Sequence, residues 1–391
     1  SLVFAYSMHT MKKWRSPVIF KWGALLFWGV FPYFQIWGLT MVKDTPYYIG
    51  FVLLMTVIMD VTVSDATMDD KVPGDKKRQK MPRRTPPGWY VLLSVGIALM
   101  VYARNDGRYV VVLGLLAICA AYRRYWKLWG AGLIVCVMLL FVEEGIYMPA
   151  HGIGKGPVGE MLSVPLQQTA RYLRDHYDEV TNEERNVLQA GFDVDLTEIG
   201  NKYKGEISDP VKIHFVKNPD KAYLRAYFSV WFAQFKKHPD TYVQAFLNHV
   251  YGYFYPGYPN QGDYLIFSYI GNTDHWQDQA LDMQFVMKGS LFREFLRHFV
   301  YVTERMPGLS LLYSCGVYTL LLIYVAVIMV SCKKNRELSV LIPEFMVLLI
   351  CMGSPVNGYL RYMMPVMAIC PMTMIWSDYV FRWTGGKIPE R

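Results

Sequence analysis

The sequence predicts an all-α polytopic membrane protein, with about eight transmembrane helices, a partial helix before them and a mostly helical extracytoplasmic segment. Composition is the first reason: of 391 residues 53% are hydrophobic and only 18% charged, where soluble domains run near a quarter charged. Aromatic residues reach 16% while Gly and Pro use is ordinary, which excludes disorder, collagen and coiled coil. The second reason is the recurrence of apolar runs near 18–40, 46–63, 88–103, 109–122, 127–147, 309–331, 338–353 and 361–378. The third is the placement of Lys and Arg on alternate connections between those runs.

Residues 1–10 read as the end of a helix running from outside to inside and stopping at Lys12, Lys13 and Arg15. The stretch lacks an initiator Met, is too short to cross, and places its basic residues after the apolar part rather than before it as a signal peptide does. The chain therefore reads as an N-terminally truncated fragment. A crossing needs roughly 20 residues for ~30 Å of hydrocarbon, which 127–147 and 309–331 meet outright. The shorter pair 88–103 and 109–122 reads as a tight hairpin whose connection dips below the headgroups, or as two buried helices that never cross. With the first basic turn on the cytoplasmic side, the inner connections collect 19 Lys and Arg and the short outer ones four: Lys43, Arg104, Arg108 and Arg361. That split is what the positive-inside rule expects. The net charge of +8 becomes an orientation, the basic stretch 64–87 a solvated cytoplasmic loop near anionic lipid, and nucleic acid is not needed as a partner. The expected organisation is an N-terminal bundle over 1–148, an extracytoplasmic segment over 149–308 and C-terminal spans over 309–391, in a multi-pass protein of the cell membrane whose partner is the lipid bilayer.

The outer segment carries 16 Lys and Arg against 19 Asp and Glu and is long enough to fold. Thr181 and Glu184 fit a capping box. Over 219–238, Leu224, Phe228, Trp231 and Phe235 fall on one helical stripe, and after Pro239 so do Val243, Phe246, Leu247, Val250 and Phe254. These stripes read as core, and their aromatic content places part of the segment on the membrane surface. Two short strand candidates are 212–216 and 264–270. All six Cys lie in or at the ends of apolar runs, so no disulfide framework or Cys-based metal site is expected outside. The eight His are scattered without HExxH spacing, which argues against a zinc enzyme. No P-loop, no GxGxxG between strand and helix and no GxSxG is present, so ATPase, dehydrogenase and α/β-hydrolase readings lose their support.

Ionisable groups at membrane depth are costly and tend to face cavities or pathways, and four polar groups sit where apolar runs reach the outer side. Lys43-Asp44-Thr45-Pro46 joins two runs with almost no loop, leaving an ammonium and a carboxylate at the rim; a solvated turn with Pro46 opening the next helix reads equally well. Arg104-Asn105-Asp106-Gly107-Arg108 puts two arginines on the side where they are least expected, which suits an anion such as a lipid phosphate, with a plain turn as the alternative. Gln167, Gln168 and Arg171 share a helix face that could meet sugar hydroxyls, or simply solvent. Asn357, Arg361 and Tyr362 begin the last span, where Arg361 reads as a phosphate clamp or as a snorkelling side chain. On the predicted topology Asp44, Arg104, Asp106, Arg108, Arg171 and Arg361 converge on one side of the membrane, suiting a substrate with an anionic headgroup and an apolar tail. The carboxylates could activate an acceptor or hold a divalent cation such as Mg or Mn.

The stretches MKKWRSP…TMVKDT, RNDGRYVVV, VPLQQTARYL, KHPDTYVQAFLNHVYGYFYPGY and NGYLRYMMPV resemble an uncharacterised family of large multispanning membrane proteins from Gram-positive, Firmicutes-type bacteria, over nearly the whole chain. The span layout and the Arg361-Tyr362…Pro365 element also resemble the GT-C superfamily of membrane glycosyltransferases, which use polyprenyl-phosphate sugars at the outer face. What that likeness implies is transfer of a sugar from a lipid-linked donor to a cell-envelope acceptor. GT-C enzymes usually carry the catalytic acid in a first outer loop, which this sequence reads as lacking, so the likeness makes Asp44 a second-loop acid and Arg361 a donor-phosphate ligand. On that hypothesis Asp44 or a missing residue, with Asp106, would act as base or metal ligand, Arg104, Arg108 and Arg361 would neutralise the phosphate beside Lys43, and Gln167 and Gln168 would contact sugar hydroxyls. A transporter or flippase of lipid-linked precursors is the competing class; it predicts charged or Pro-broken span centres and repeat symmetry, and the span centres read as nearly uncharged. A non-enzymatic protein of envelope assembly is the third.

Overall fold

The structure is a computed structural model that describes residues 2–14, 16–39, 42–69, 85–154, 156–258 and 291–383. The core of the predicted basic loop (70–84), the strand candidate at 264–270 and the end of the tail (384–391) lie outside the described residues. Among the described residues the chain is helical and contains no strand, only three isolated β-bridges.

The apolar part is built from α1 (Leu2–Lys13), α2 (Val18–Val30), α3 (Pro32–Leu39), α4 (Asp44–Asp69), α5 (Pro87–Ala103), α6 (Gly107–Ala121) and α7 (Trp126–Leu140). Among the described residues three helical stretches are long and apolar enough to cross a membrane: Asp44–Ala66, Arg123–Ala150 and Leu360–Arg382. The first run is not one helix as expected. Pro32 disfavours the α region for the residue before it, and Phe31 is extended at φ −64°, ψ 115°, so the run breaks into α2 and α3. α4 is the axis of the bundle, with Phe51, Val52, Leu54, Met55, Val57 and Ile58 fully buried. It meets α5 at very short range: a Cβ at Gly96 would fall 2.9 Å from the Gly50 carbonyl oxygen, so only glycine lets these backbones approach so closely. α7 is the opposite case. Ile134, Val137, Met138 and Phe141 are 61–66% exposed, an apolar surface that suits lipid rather than water.

The segment between the two groups of apolar helices has its own core, assembled from α8 (Ser163–Asp175), α9 (Asn182–Gln189), α10 (Leu196–Asn201), α11 (Lys221–Lys237) and α12 (Pro239–Val250) around Leu166, Tyr172, Leu188, Leu196, Tyr227 and Tyr242. The Thr181 capping box forms as expected, with both reciprocal hydrogen bonds present. Asp220 caps α11 by accepting from the Tyr223 amide at 2.7 Å. The expected stripes face the core in part: Leu224, Trp231 and Phe235 are half-buried against it and Val250 is buried, while other members of the stripes are exposed. On α11 the buried positions are Tyr227 and Gln234, with Phe228 39% exposed; on α12 they are Thr241, Tyr242, Ala245, His249 and Val250, with Val243 51% and Leu247 53% exposed. Polar side chains share this core, and one buried pair is the 2.9 Å hydrogen bond between Thr169 Oγ1 and the Tyr227 hydroxyl. The strand expected at 212–216 is a turn carrying one antiparallel bridge, Phe192 to Phe215.

After α13 (Leu291–Arg305) the chain returns to the bundle through α14 (Cys315–Ser331), α15 (Ile342–Met352) and α16 (Leu360–Trp383). The run 309–331, expected to be one span, starts its α-helix only at Cys315, because Gly308 at φ +85° turns the chain and Leu309–Tyr313 forms a 3-10 turn. The connection between α15 and α16 fastens the α8–α12 segment to the bundle. Asn357 donates its side-chain amide to the Asn248 carbonyl at 3.1 Å and accepts from the Gly252 amide at 2.8 Å, while its backbone amide donates to the Glu206 carbonyl at 2.8 Å. His249 Nε2 donates to the Ser354 carbonyl at 2.7 Å.

Candidate functional site

Asp44 opens α4 and is only 2% exposed. A carboxylate so placed needs partners, since removing a charge from water costs several kcal/mol, and it draws them from two distant parts of the chain. Arg104, at the end of α5, reaches Oδ1 with its guanidinium at 2.6 Å; Arg361, in the first turn of α16, donates twice to Oδ2, at 2.6 and 2.5 Å. Arg104 also grips Asp106 through Nε at 3.0 Å and Nη2 at 2.9 Å. Aromatic rings line this charge-balanced group: Tyr47 and Tyr362 lie 5.5 and 5.0 Å from the Arg104 guanidinium, and Trp37 lies 5.4 Å from that of Arg361. In the first turn of α6, Arg108 pairs with Glu144, in the π-helical continuation of α7 over Phe141–Tyr147. A π-helical stretch often marks a functional site. Lys43 is exposed and makes no ion pair among the described residues.

Of the residues singled out in the sequence, Asp44, Arg104, Asp106, Arg361 and Tyr362 therefore meet in one cluster. Gln167, Gln168, Arg171 and Asn357 have other partners. Gln167 donates to the Lys204 and Ile207 carbonyls at 2.6 and 3.0 Å, and Gln168 to the Tyr242 carbonyl at 3.2 Å. Arg171 holds Asp175 and Gln244, and Asn357 is the fastening described above. These four are fixed on main-chain or neighbouring side-chain groups of the α8–α12 segment and its junction with the bundle. The two Asp44 oxygens are both taken by guanidiniums, a donor set that does not suit a divalent cation, which needs carboxylate oxygens of its own.

The apolar helices also bury carboxylates that no motif in the sequence marks. Asp60 of α4 accepts from the indole N–H groups of Trp14 and Trp89 at 3.2 and 3.1 Å and faces Lys13 at 3.4 Å. Asp65 pairs with Arg336 at 2.5 Å and lies 3.8 Å from Arg124. Along α4, Asp44 and Asp65 are about 30 Å apart at 1.5 Å per residue, so the helix ends in a cluster of cations at each side. In α15, Glu344 is 1% exposed and accepts from the Thr373 hydroxyl at 2.8 Å. The signal available was an acidic residue inside or at the end of an apolar run with no basic neighbour in sequence.

No curated protein and no solved structure matches the chain. Residues 1–383 match the model of a family described as of unknown function, DUF6020, and the chain belongs to that family.

Proposed function

We propose that the chain is a multi-pass membrane glycosyltransferase of GT-C type, which moves a sugar from a polyprenyl-phosphate donor to an outer-face acceptor of the cell envelope. The observation that carries this reading is the convergence of Arg104 and Arg361 on Asp44 at the end of a long apolar helix, walled by Trp37, Tyr47 and Tyr362. An amphiphile with a phosphate head meets there both cations and an apolar, aromatic rim. The orientation is supported by the partition of cations: Lys13, Arg124 and Arg336 gather at the Asp60–Asp65 end, and Arg104 and Arg361 at the other. That is the division that eight crossings and the positive-inside rule require.

The geometry suggests how the groups act. In the resting cluster two guanidiniums balance two carboxylates. An arriving donor phosphate takes N–H groups from Asp44, and the carboxylate so released accepts the acceptor's proton. The acceptor oxygen bonds to the anomeric carbon as the bond from that carbon to the phosphate oxygen breaks, its electron pair leaving with the phosphate. Arg361 and Lys43 stabilise that charge, while Asp106 holds Arg104 in place. The test is transfer of labelled sugar from polyprenyl-phosphate donors to envelope glycan in proteoliposomes. Arg361→Gln is expected to abolish transfer with folding retained, and unchanged turnover would overturn the assignment.

A second reading, transport of lipid-linked precursors, is favoured by one set of facts: Glu344 and Thr373 form a buried polar pair between α15 and α16, and α16 carries Pro365 and Pro371 within it. The two separate cleanly. Given acceptor, a transferase moves sugar from donor to acceptor in nanodiscs, which have no second compartment, whereas a transporter leaves the donor intact there and moves it across liposomes, with Glu344→Gln blocking movement.

A further inference from the structure

The outer segment brings together three groups that the sequence keeps far apart. His176 follows α8, Glu179 ends the 3-10 turn Tyr177–Glu179, and His238 sits between α11 and α12. The two imidazoles stack at 3.6 Å between centroids, 12° from parallel. Both present a ring nitrogen to one carboxylate: His238 Nε2 lies 2.7 Å from Glu179 Oε2, and His176 Nδ1 lies 3.4 Å from Oε1. All three donor atoms fall within 4.8 Å of one another.

We propose that His176, Glu179 and His238 form a binding site for a divalent transition-metal ion of the zinc class. Ligand chemistry selects the ion, since imidazole nitrogens suit zinc, cobalt, nickel and copper, whereas magnesium and calcium prefer all-oxygen shells. Metal–ligand bonds of about 2.0–2.2 Å put tetrahedral donors about 3.4 Å apart, so the observed spread needs to close by little more than an ångström. A second, independent observation is the support behind the ring. The other nitrogen of His176, Nε2, is 3.0 Å from Thr241 Oγ1, the outer-shell bond that fixes a metal-binding histidine in tautomer and orientation. Both histidines are also held by backbone bonds at helix ends: the His176 amide donates to the Tyr172 carbonyl at 2.8 Å and the His238 amide to the Gln234 carbonyl at 3.0 Å. Buried Tyr172 closes the site from below, its ring centroid 5.4 and 5.8 Å from the two imidazoles. The adjacent Lys237 ammonium is paired with Glu184 at 2.8 Å and reaches Glu179 only at its main-chain carbonyl, at 3.4 Å, so it does not compete for the carboxylate. Glu179 is half-exposed, which leaves a coordination position for water. The ion would staple the connection after α8 to the corner between α11 and α12, joining positions 176 and 238. The site does not depend on the transferase reading.

The full chain, freed of any histidine tag, stripped with chelator and kept in detergent, tests this with Co2+ as a spectroscopic probe and Zn2+ as competitor. One Co2+ per chain is expected, with visible bands of a low-coordinate ion that Zn2+ bleaches and excess Mg2+ leaves unchanged. His238→Gln is expected to abolish the bands. Thr241→Val, which touches only the support, is expected to weaken binding roughly tenfold to a hundredfold. Should His238→Gln fail to fold, the Glu179→Gln and Thr241→Val variants carry the same comparison. Absence of stoichiometric Co2+ binding by the wild-type chain, or binding indifferent to these substitutions, would overturn the proposal.

Discussion

Because Asp44 is held by two guanidiniums, the ion pairs at the end of α4 should be strongly non-additive. Removing Arg104 alone leaves Asp44 paired with Arg361 and leaves Asp106, 22% exposed, to water. Removing Arg361 alone leaves Asp44 paired with Arg104 at 2.6 Å. The arginine side chains are 15% and 24% exposed, so part of each interaction is screened, and Arg104→Met or Arg361→Met should each cost about 1–2 kcal/mol. The double variant strands a 2% exposed carboxylate without either partner. Its cost should approach the ~3–5 kcal/mol of a broken buried pair and exceed the sum of the singles by ~1–3 kcal/mol. Unfolding by mixed-micelle titration of wild type, both singles and the double variant measures this directly. Additivity to within about 0.5 kcal/mol would refute the reasoning, since it would mean that the two guanidiniums do not share one buried charge.

Three further outcomes follow from the geometry. Burial pushes the His249 imidazole below its ordinary value of 6.5, so as pH falls past that value the unfolded chain takes up a proton that the folded one resists, and the stability present at higher pH is lost; His249→Gln, which preserves the donor to Ser354, should flatten the melting temperature between pH 7 and pH 5. Gly96→Ala should cost ~1–3 kcal/mol, because its Cβ meets the Gly50 backbone, which cannot yield; an unchanged melting temperature would show that α4 and α5 are not so close. Gln167→Leu should destabilise the α8–α12 segment by ~1–3 kcal/mol by leaving the Lys204 and Ile207 carbonyls without its amide, and should leave binding of the proposed lipid donor unchanged, whereas a sugar-contacting glutamine would weaken it.

What was legible in the sequence was whatever a local pattern can carry. The apolar runs located the helices, Thr181 and Glu184 marked a helix start, and charges stranded at the ends of runs pointed to Asp44, Arg104 and Arg361 before any contact was known. What was not legible depended on tertiary geometry. The direction of α12 could not be read from its apolar stripe, because His249 and Thr241 face inward to partners 105 and 65 residues away in sequence. Gln167 and Asn357 look like ligand-binding amides in sequence, yet the structure gives them carbonyls and amides of the chain itself. Asp60 and Asp65 were absorbed into a run and its following loop, since their compensating charges come from α1 and from the connections that precede α7 and α15. His176 and His238 carry no recognisable spacing, and only the fold makes them neighbours.

The most direct test of the central claim is native mass spectrometry of the full chain released from nanodiscs loaded with equal amounts of polyprenyl phosphate and the matching polyprenol. The account predicts retention of the phosphate lipid over the alcohol by wild type, with the preference lost in Arg361→Gln while the protein remains folded. Equal retention of both lipids, or a phosphate preference untouched by that substitution, would contradict it.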